Sequence, residues 1–206
     1  MKTLLTVIAG FVLAAASAAA DAGAIEQLNA FVEKTRSARA DFTQLVTDSA
    51  GNTVQESSGV VEFSRPGRFR WHYRKPFEQL VVGDGQSLWI YDEDLNQVTT
   101  RRLDSALGSS PAALLAGSDE IGEYFSLSAK GRQGRLEWLE ARPKDEDSMF
   151  DYVRMGFALD TLEIMELYDH FGQKSVIRFS RMQRNPGFAA DAFTFVPPPG
   201  ADVVSE

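Results

Sequence analysis

The spacing of apolar residues along the chain changes period once, near its start. Ile25, Leu28, Phe31 and Val32 recur three and four residues apart, which places them on one face of a short amphipathic helix ending near Arg36. Beyond that point the period is two. The run Arg68-Phe69-Arg70-Trp71-His72-Tyr73 is the clearest case, with Phe69, Trp71 and Tyr73 on one face of a strand and two arginines and a histidine on the other. Comparable runs lie at 40–47, 53–64, 77–82, 86–91, 95–101, 124–130, 135–142, 151–159, 163–169 and 174–183, with 193–196 as a terminal one. Together they predict roughly eleven or twelve short strands at the spacing of an all-β sandwich or barrel. Separators such as Asp48-Ser49-Ala50-Gly51-Asn52, Arg65-Pro66-Gly67 and Gly83-Asp84-Gly85 supply the backbone angles of tight turns, so neighbouring strands should pair antiparallel.

The alternation breaks between Leu103 and Glu123. There Ser109-Ser110-Pro111-Ala112-Ala113-Leu114-Leu115-Ala116-Gly117 has serine before, proline at the first position and glycine after, the pattern of a capped one-turn helix, and 118–123 suggests a second. Two short amphipathic helices cannot bury themselves, and should lie over the apolar face of a strongly curved sheet.

The first residues carry a different message. Lys2, an apolar stretch from Leu4 to Ala16, and Ala18-Ala19-Ala20 before Asp21 have the order of a cleavable secretory signal, so 1–20 reads as a signal peptide and 21–206 as one exported domain. The apolar stretch is short for a membrane span. Cleavage removes one basic residue and no acidic one, leaving 20 Lys and Arg against 29 Asp and Glu, a net charge of −9. Such a domain is repelled by phosphate backbones and by anionic membrane surfaces, which argues against nucleic-acid partners and a stable membrane anchor. The sequence contains no cysteine, which excludes disulfides, thiol catalysis, cysteine-ligated metals and an acyl anchor on an N-terminal cysteine.

Candidate chemistry is sparse. His72 and His170 are the only histidines, and neither has a second ligand at metal-binding spacing, so no metal site is expected. The acidic clusters Asp92-Glu93-Asp94, Asp119-Glu120 and Asp145-Glu146-Asp147 fall in turns or loops of ordinary solvated composition, and no nucleophile elbow is present. An enzyme is therefore disfavoured. What stands out is large apolar surface: Phe69, Trp71 and Tyr73 on one strand, Trp89 and Tyr91 on another, and Phe157, Phe179 and Phe193 further on. An ordinary core accounts for such residues, but a curved sheet with two short covering helices has difficulty filling its concave side and such barrels often enclose a ligand cavity. Arg65, at a strand end before Pro66-Gly67, reads either as a solvated turn residue or as a five-donor group able to hold carbonyls of a covering segment.

Four stretches taken together carry a family resemblance: Ala40-Asp41-Phe42-Thr43-Gln44, Arg65-Pro66 followed by Phe69-x-Trp71, Asp84-Gly85-x-x-Leu88-Trp89-x-Tyr91, and Phe193-Thr194-Phe195-x-Pro197-Pro198-x-Gly200. In this order and spacing they resemble the LolA family of periplasmic outer-membrane lipoprotein carriers, over nearly all of the mature chain. The resemblance implies a mainly β fold, an unclosed antiparallel β-barrel of roughly eleven strands lidded by short α-helices. It implies acyl chains of lipoproteins bound within, receipt from the inner-membrane ABC transporter LolCDE, delivery to the outer-membrane receptor LolB, and a monomer free in the periplasm without cofactors. By the same resemblance Arg65 holds the lid shut and Phe69 matters in transfer, with Leu28, Phe31, Val32, Trp71, Trp89, Leu114 and Leu115 lining the acyl-chain cavity. A second reading is a periplasmic module of the same fold that senses lipid or envelope stress.

Overall fold

The computed structural model describes residues 16–103, 115–116, 121–146 and 148–205. After helix α1 (Ala16–Lys34), strands β1 (Ser37–Thr47), β2 (Thr53–Ser64), β3 (Arg68–Lys75), β4 (Gln79–Asp84), β5 (Ser87–Asp92) and β6 (Gln97–Arg102) run as one antiparallel meander. A second meander follows the short helix α2 (Ile121–Tyr124): β7 (Phe125–Gln133), β8 (Leu136–Pro143), β9 (Phe150–Ala158), β10 (Thr161–Asp169) and β11 (Lys174–Arg184). Antiparallel pairing of β1 with β11, in which Phe42 faces Phe179, welds the two meanders into one sheet.

The predicted terminal strand at 193–196 is replaced by a different one. Phe193 lies in a turn, and the closing strand is β12 (Asp202–Ser205), which pairs parallel with β6, Asp202 opposite Gln97. Pro197 and Pro198 have no N–H to give a ladder, so the chain can rejoin the sheet only beyond them. The resulting 12-stranded sheet has the order β12-β6-β5-β4-β3-β2-β1-β11-β10-β9-β8-β7, an open curved sheet with β12 and β7 at its two edges. Irregular register at Arg39/Asp41 in β1 and Leu162/Ile164 in β10 adds the local bending that such curvature needs.

This order determines where the helices go. The connection from β6 to β7 joins strands at opposite sides of the open sheet, so it must cross between them. Of the described residues of that crossing, Leu103, Leu115 and Ala116 are buried in the main core with exposures of 7%, 3% and 0%, whereas α2 has no buried residue. Most of the predicted segment 109–117, including Leu114, lies outside the described residues, as does the start of the signal-like stretch. Helix α1 lies against the other half of the sheet, on β7, β8, β9 and β10. Among the described residues, no helix is long and apolar enough to cross a membrane.

Alternation sorts each strand into two faces. Phe69 and Trp71 of β3, Leu88 and Ile90 of β5, Leu139 and Ala141 of β8, and Met155 and Phe157 of β9 point into the concave side and belong to one apolar cluster with α1. The convex side carries Arg70, His72 and the polar partners of β8 to β11.

Candidate functional site

The concave face is built from cross-strand neighbours, and the Phe69 position shows how closely they fit. Phe69 lies opposite Gly83 in the β3–β4 ladder, and a Cβ on Gly83 would stand 2.4 Å from its Cε1. Glycine is favoured there because the ring of Phe69 fills the space a side chain would need and is fully buried. Next along the strand, Trp71 packs 4.9 Å from Phe42 and 6.2 Å from Phe179 between ring centroids, so the seam between the meanders is aromatic.

Helix α1 brings Leu28, Phe31 and Val32 onto the same cluster, with exposures of 3%, 1% and 8%. Phe31 meets Phe157 at 5.9 Å and Phe63 at 6.5 Å, so one helix residue touches both meanders. The end of the helix is tied down by side chains and backbone of the sheet. Asn185 Nδ2 donates to the Lys34 carbonyl at 2.8 Å, the Arg65 backbone N–H donates to the Arg36 carbonyl at 2.8 Å, and Lys34 pairs with Asp160 at 2.9 Å. These partners satisfy carbonyls that a helix end otherwise leaves open.

Arg65 sits where the two covering segments meet. Its Nε donates to the Leu115 carbonyl at 3.1 Å, and its Nη1 reaches the Val32 carbonyl at 3.5 Å. The guanidinium lies 5.0 Å from the Phe63 ring centroid and 5.3 Å from that of Phe31. One cation thus bridges α1 and the β6–β7 crossing while resting on aromatic rings, an arrangement suited to a planar group with five donors. The adjoining turn reinforces it: Gly67, at φ 70°, donates its N–H to the Ala116 carbonyl at 2.7 Å. A side chain at Gly67 would combine that disfavoured φ with a 3.2 Å approach to Leu103.

Of the residues expected to line a cavity, Leu28, Phe31, Val32, Phe69, Trp71 and Leu115 are brought together in this cluster. Trp89 is not. It points to the convex side, where its Nε1 donates to Asp84 Oδ2 at 3.0 Å and its ring lies 5.7 Å from Phe195. Tyr91 shares that face, 6.0 Å from Phe195, whereas Leu88 and Ile90 between them take the concave positions. Phe193 likewise belongs to the C-terminal segment, 5.1 Å from Phe188. The segment Leu88-Trp89-Ile90-Tyr91 is apolar on both faces because one packs on the core and the other against Phe195.

The remaining polar groups are structural in their contacts. His72 projects opposite Trp71, with Nε2 3.4 Å from Glu78 Oε2, and His170 occupies the β10–β11 turn, with Nε2 2.9 Å from the Ser148 carbonyl. Among the described residues no group of three or more metal-ligating side chains converges. On the convex face Glu140 is nearly buried and is held by Lys130, Arg142 and Arg154, each at 3.1 Å. Burial on its own would push the Glu140 carboxyl up. Hydrogen bonds from Lys130 and Arg154 and the charges of Lys130 and Arg142 outweigh it and hold the group below the ordinary carboxylate range.

Comparison with known proteins agrees with this geometry. The family described as outer membrane lipoprotein carrier protein LolA matches residues 33–196. The chain is 51% identical over 183 residues, 88% of each chain, to an outer-membrane lipoprotein carrier protein of Nitrosospira multiformis. It is 48% identical over 206 residues to that of Chromobacterium violaceum, covering 100% of this chain and 99% of the relative. Among solved structures, a LolA superfamily protein from Nitrosomonas europaea superposes with a TM-score of 0.51 at 12% identity, over 84% of this chain and 97% of the other. An uncharacterized conserved protein from Thermus thermophilus superposes at 0.58 with 16% identity, over 89% and 99%. These two show a shared fold.

Proposed function

The chain belongs to the LolA family of outer-membrane lipoprotein carrier proteins, and from that premise we propose how it carries its cargo: the acyl chains of a lipoprotein enter the concave face once α1 and the β6–β7 crossing part. The observation that supports this reading is Arg65, a single cation donating to carbonyls of both covering segments above a continuous apolar face.

The energetics explain why such a device is needed. At about 0.8 kcal/mol per methylene, one acyl chain of roughly fourteen methylenes is worth ~11 kcal/mol in a membrane, so unshielded escape into water is negligible. A carrier must replace most of that burial and still release the chains. The residues of the concave face are packed against one another, so an entering chain exchanges protein–protein apolar contact for protein–lipid contact. Opening costs the Arg65 bonds and the burial of Leu28, Phe31, Val32 and Leu115, and the cargo offsets it. Loading and unloading are then nearly balanced, and small differences in partner affinity decide the direction.

In this scheme the protein is exported by residues 1–20 and works in the periplasm as a monomer. It receives acylated lipoproteins from the LolCDE transporter of the inner membrane and passes them to the receptor LolB at the outer membrane. Arg65 is the latch, Phe69 and Trp71 the floor, and Leu28, Phe31, Val32 and Leu115 the movable cover. Recovery of the native protein from the periplasm, followed by mass analysis of co-purifying lipid and protein, tests the scheme. Acylated lipoproteins in stoichiometric amount support it, and free phospholipid alone contradicts it.

A further inference from the structure

Three tryptophans in this chain differ in what their indole N–H groups do. Trp89 donates to Asp84. Trp138 Nε1 is also buried without a partner among the described residues, but its ring lies on the opposite, polar side of the sheet, lining a groove with Lys130, Gln133, Arg154 and Glu166. Trp71 is the one of the three that belongs to the concave apolar cluster. It is 2% exposed, its Nε1 has no hydrogen-bond acceptor among the described residues, and it lies inside the apolar concave face.

A buried donor left unpaired is costly, and phenylalanine would occupy much of the same space without that cost. The surroundings supply rings rather than acceptors. Phe42 lies at 4.9 Å, Tyr73 is stacked at 6.3 Å with planes 27° apart, and Phe179 is edge-on at 6.2 Å. Across the ladder stand Val61 and Val81. The nearby polar pair is already engaged, with Tyr73 Oη donating to Gln44 Oε1 at 3.1 Å. Burial pushes the Tyr73 hydroxyl up to about 12, so it stays a neutral donor committed to Gln44.

An acyl ester presents carbonyl acceptors and no donor, the complement of what this face offers. We propose that the Trp71 indole N–H recognises the acyl ester of the cargo, donating to an ester carbonyl when the chain enters the concave face. This rests on the carrier reading and adds to it a polar selectivity inside an apolar site. The hydrogen bond is made only in the loaded state, so it favours loading without strengthening the empty closed form.

The test compares a diacyl lipopeptide, its dialkyl ether counterpart of equal chain length, and a diester phosphatidylglycerol. The unmodified protein binds the ester lipopeptide about five- to tenfold tighter than the ether, the value of one hydrogen bond. Trp71→Phe brings that ratio close to one, and Trp89→Phe leaves it unchanged. In the unmodified protein labelled with ¹⁵N-indole, the Trp71 N–H resonance moves downfield with the ester and not with the ether, a readout independent of whether any variant folds. A Trp71-dependent preference for phosphatidylglycerol as well supports ester recognition and extends its source to bilayer lipid. Equal affinity for the two lipopeptides, or a ratio that survives Trp71→Phe, overturns the proposal. Binding of neither lipopeptide overturns the carrier reading and the ester contact with it.

Discussion

Arg65 Nε donates to the Leu115 carbonyl across 3.1 Å, joining the end of β2 to a segment fifty residues further along the chain. The same guanidinium reaches Val32 of α1, so removing it loosens both covering segments at once. Arg65→Leu keeps an apolar stem near Phe31 and Phe63 and should fold, with a stability loss of about 1–3 kcal/mol measured by urea unfolding. Without the latch the open, loaded form is favoured. Lipoprotein should therefore accumulate on the carrier in a reconstituted transfer reaction; handover at the normal rate would remove Arg65 from the mechanism.

Phe69 and Gly83 form a second testable pair. Gly83→Ala places a methyl group 2.4 Å from the Phe69 ring edge and should cost about 1–3 kcal/mol through overpacking. Phe69→Leu alone leaves a cavity. The double variant should lose less stability than the two single losses combined, a coupling that thermal or urea unfolding of all four proteins would reveal. Strict additivity would mean that the ring does not lie over Gly83.

Much of this architecture is readable from the chain. Strict alternation in Arg68–Tyr73 assigns Phe69 and Trp71 to one face because the other face is polar, and the turn residues around it place β2 to β5 within two residues or so of their true ends. Trp89 defeats the same reasoning. Its neighbours Leu88, Ile90 and Tyr91 are all apolar, so period-two analysis has no polar face against which to orient the strand, and only the packing of Phe195 against Trp89 reveals that the convex side is covered here. The closing strand β12 is hidden for another reason. Asp202-Val203-Val204-Ser205 is four residues long and pairs parallel with a strand a hundred positions away, which no local signal reports. Arg65 falls between these cases: by sequence it reads as a turn residue or as a group able to hold carbonyls of a covering segment, and the fold brings Val32 and Leu115 to it.

The C-terminal cover yields a separable prediction. Phe195→Ala removes the ring that shields Trp89 and Tyr91 and should lower stability by about 1–2 kcal/mol, the residue being only partly buried. Because this ring is on the convex side, affinity for an acylated peptide should stay within about twofold of the parent, a change of less than half a kcal/mol. A large loss of affinity with unchanged stability would place cargo on the wrong face.

Glu140 makes stability depend on pH. Its folded pKa lies below its ordinary value of 4.5, so its stabilising contribution is complete above pH 4.5 and is lost as pH falls through the lowered folded value. Glu140→Gln removes the charge from among three partly exposed cations and should cost about 1–3 kcal/mol at pH 7. The gap between parent and variant should narrow below pH 4. Urea midpoints measured across that range give the slope, and a gap that widens on acidification would reverse the sign assigned here.

The central claim is that acyl chains occupy the concave face, and adjacent residues of β5 provide its most direct test because Ile90 and Tyr91 point to opposite sides. A photo-crosslinking amino acid placed singly at each position, followed by loading with an acylated lipoprotein and irradiation, reads out the face in contact with cargo. Strong adduct formation at Ile90, absent for a non-acylated cargo, together with little or none at Tyr91, is the predicted result; equal labelling at the two positions, or labelling at Tyr91 alone, would contradict it.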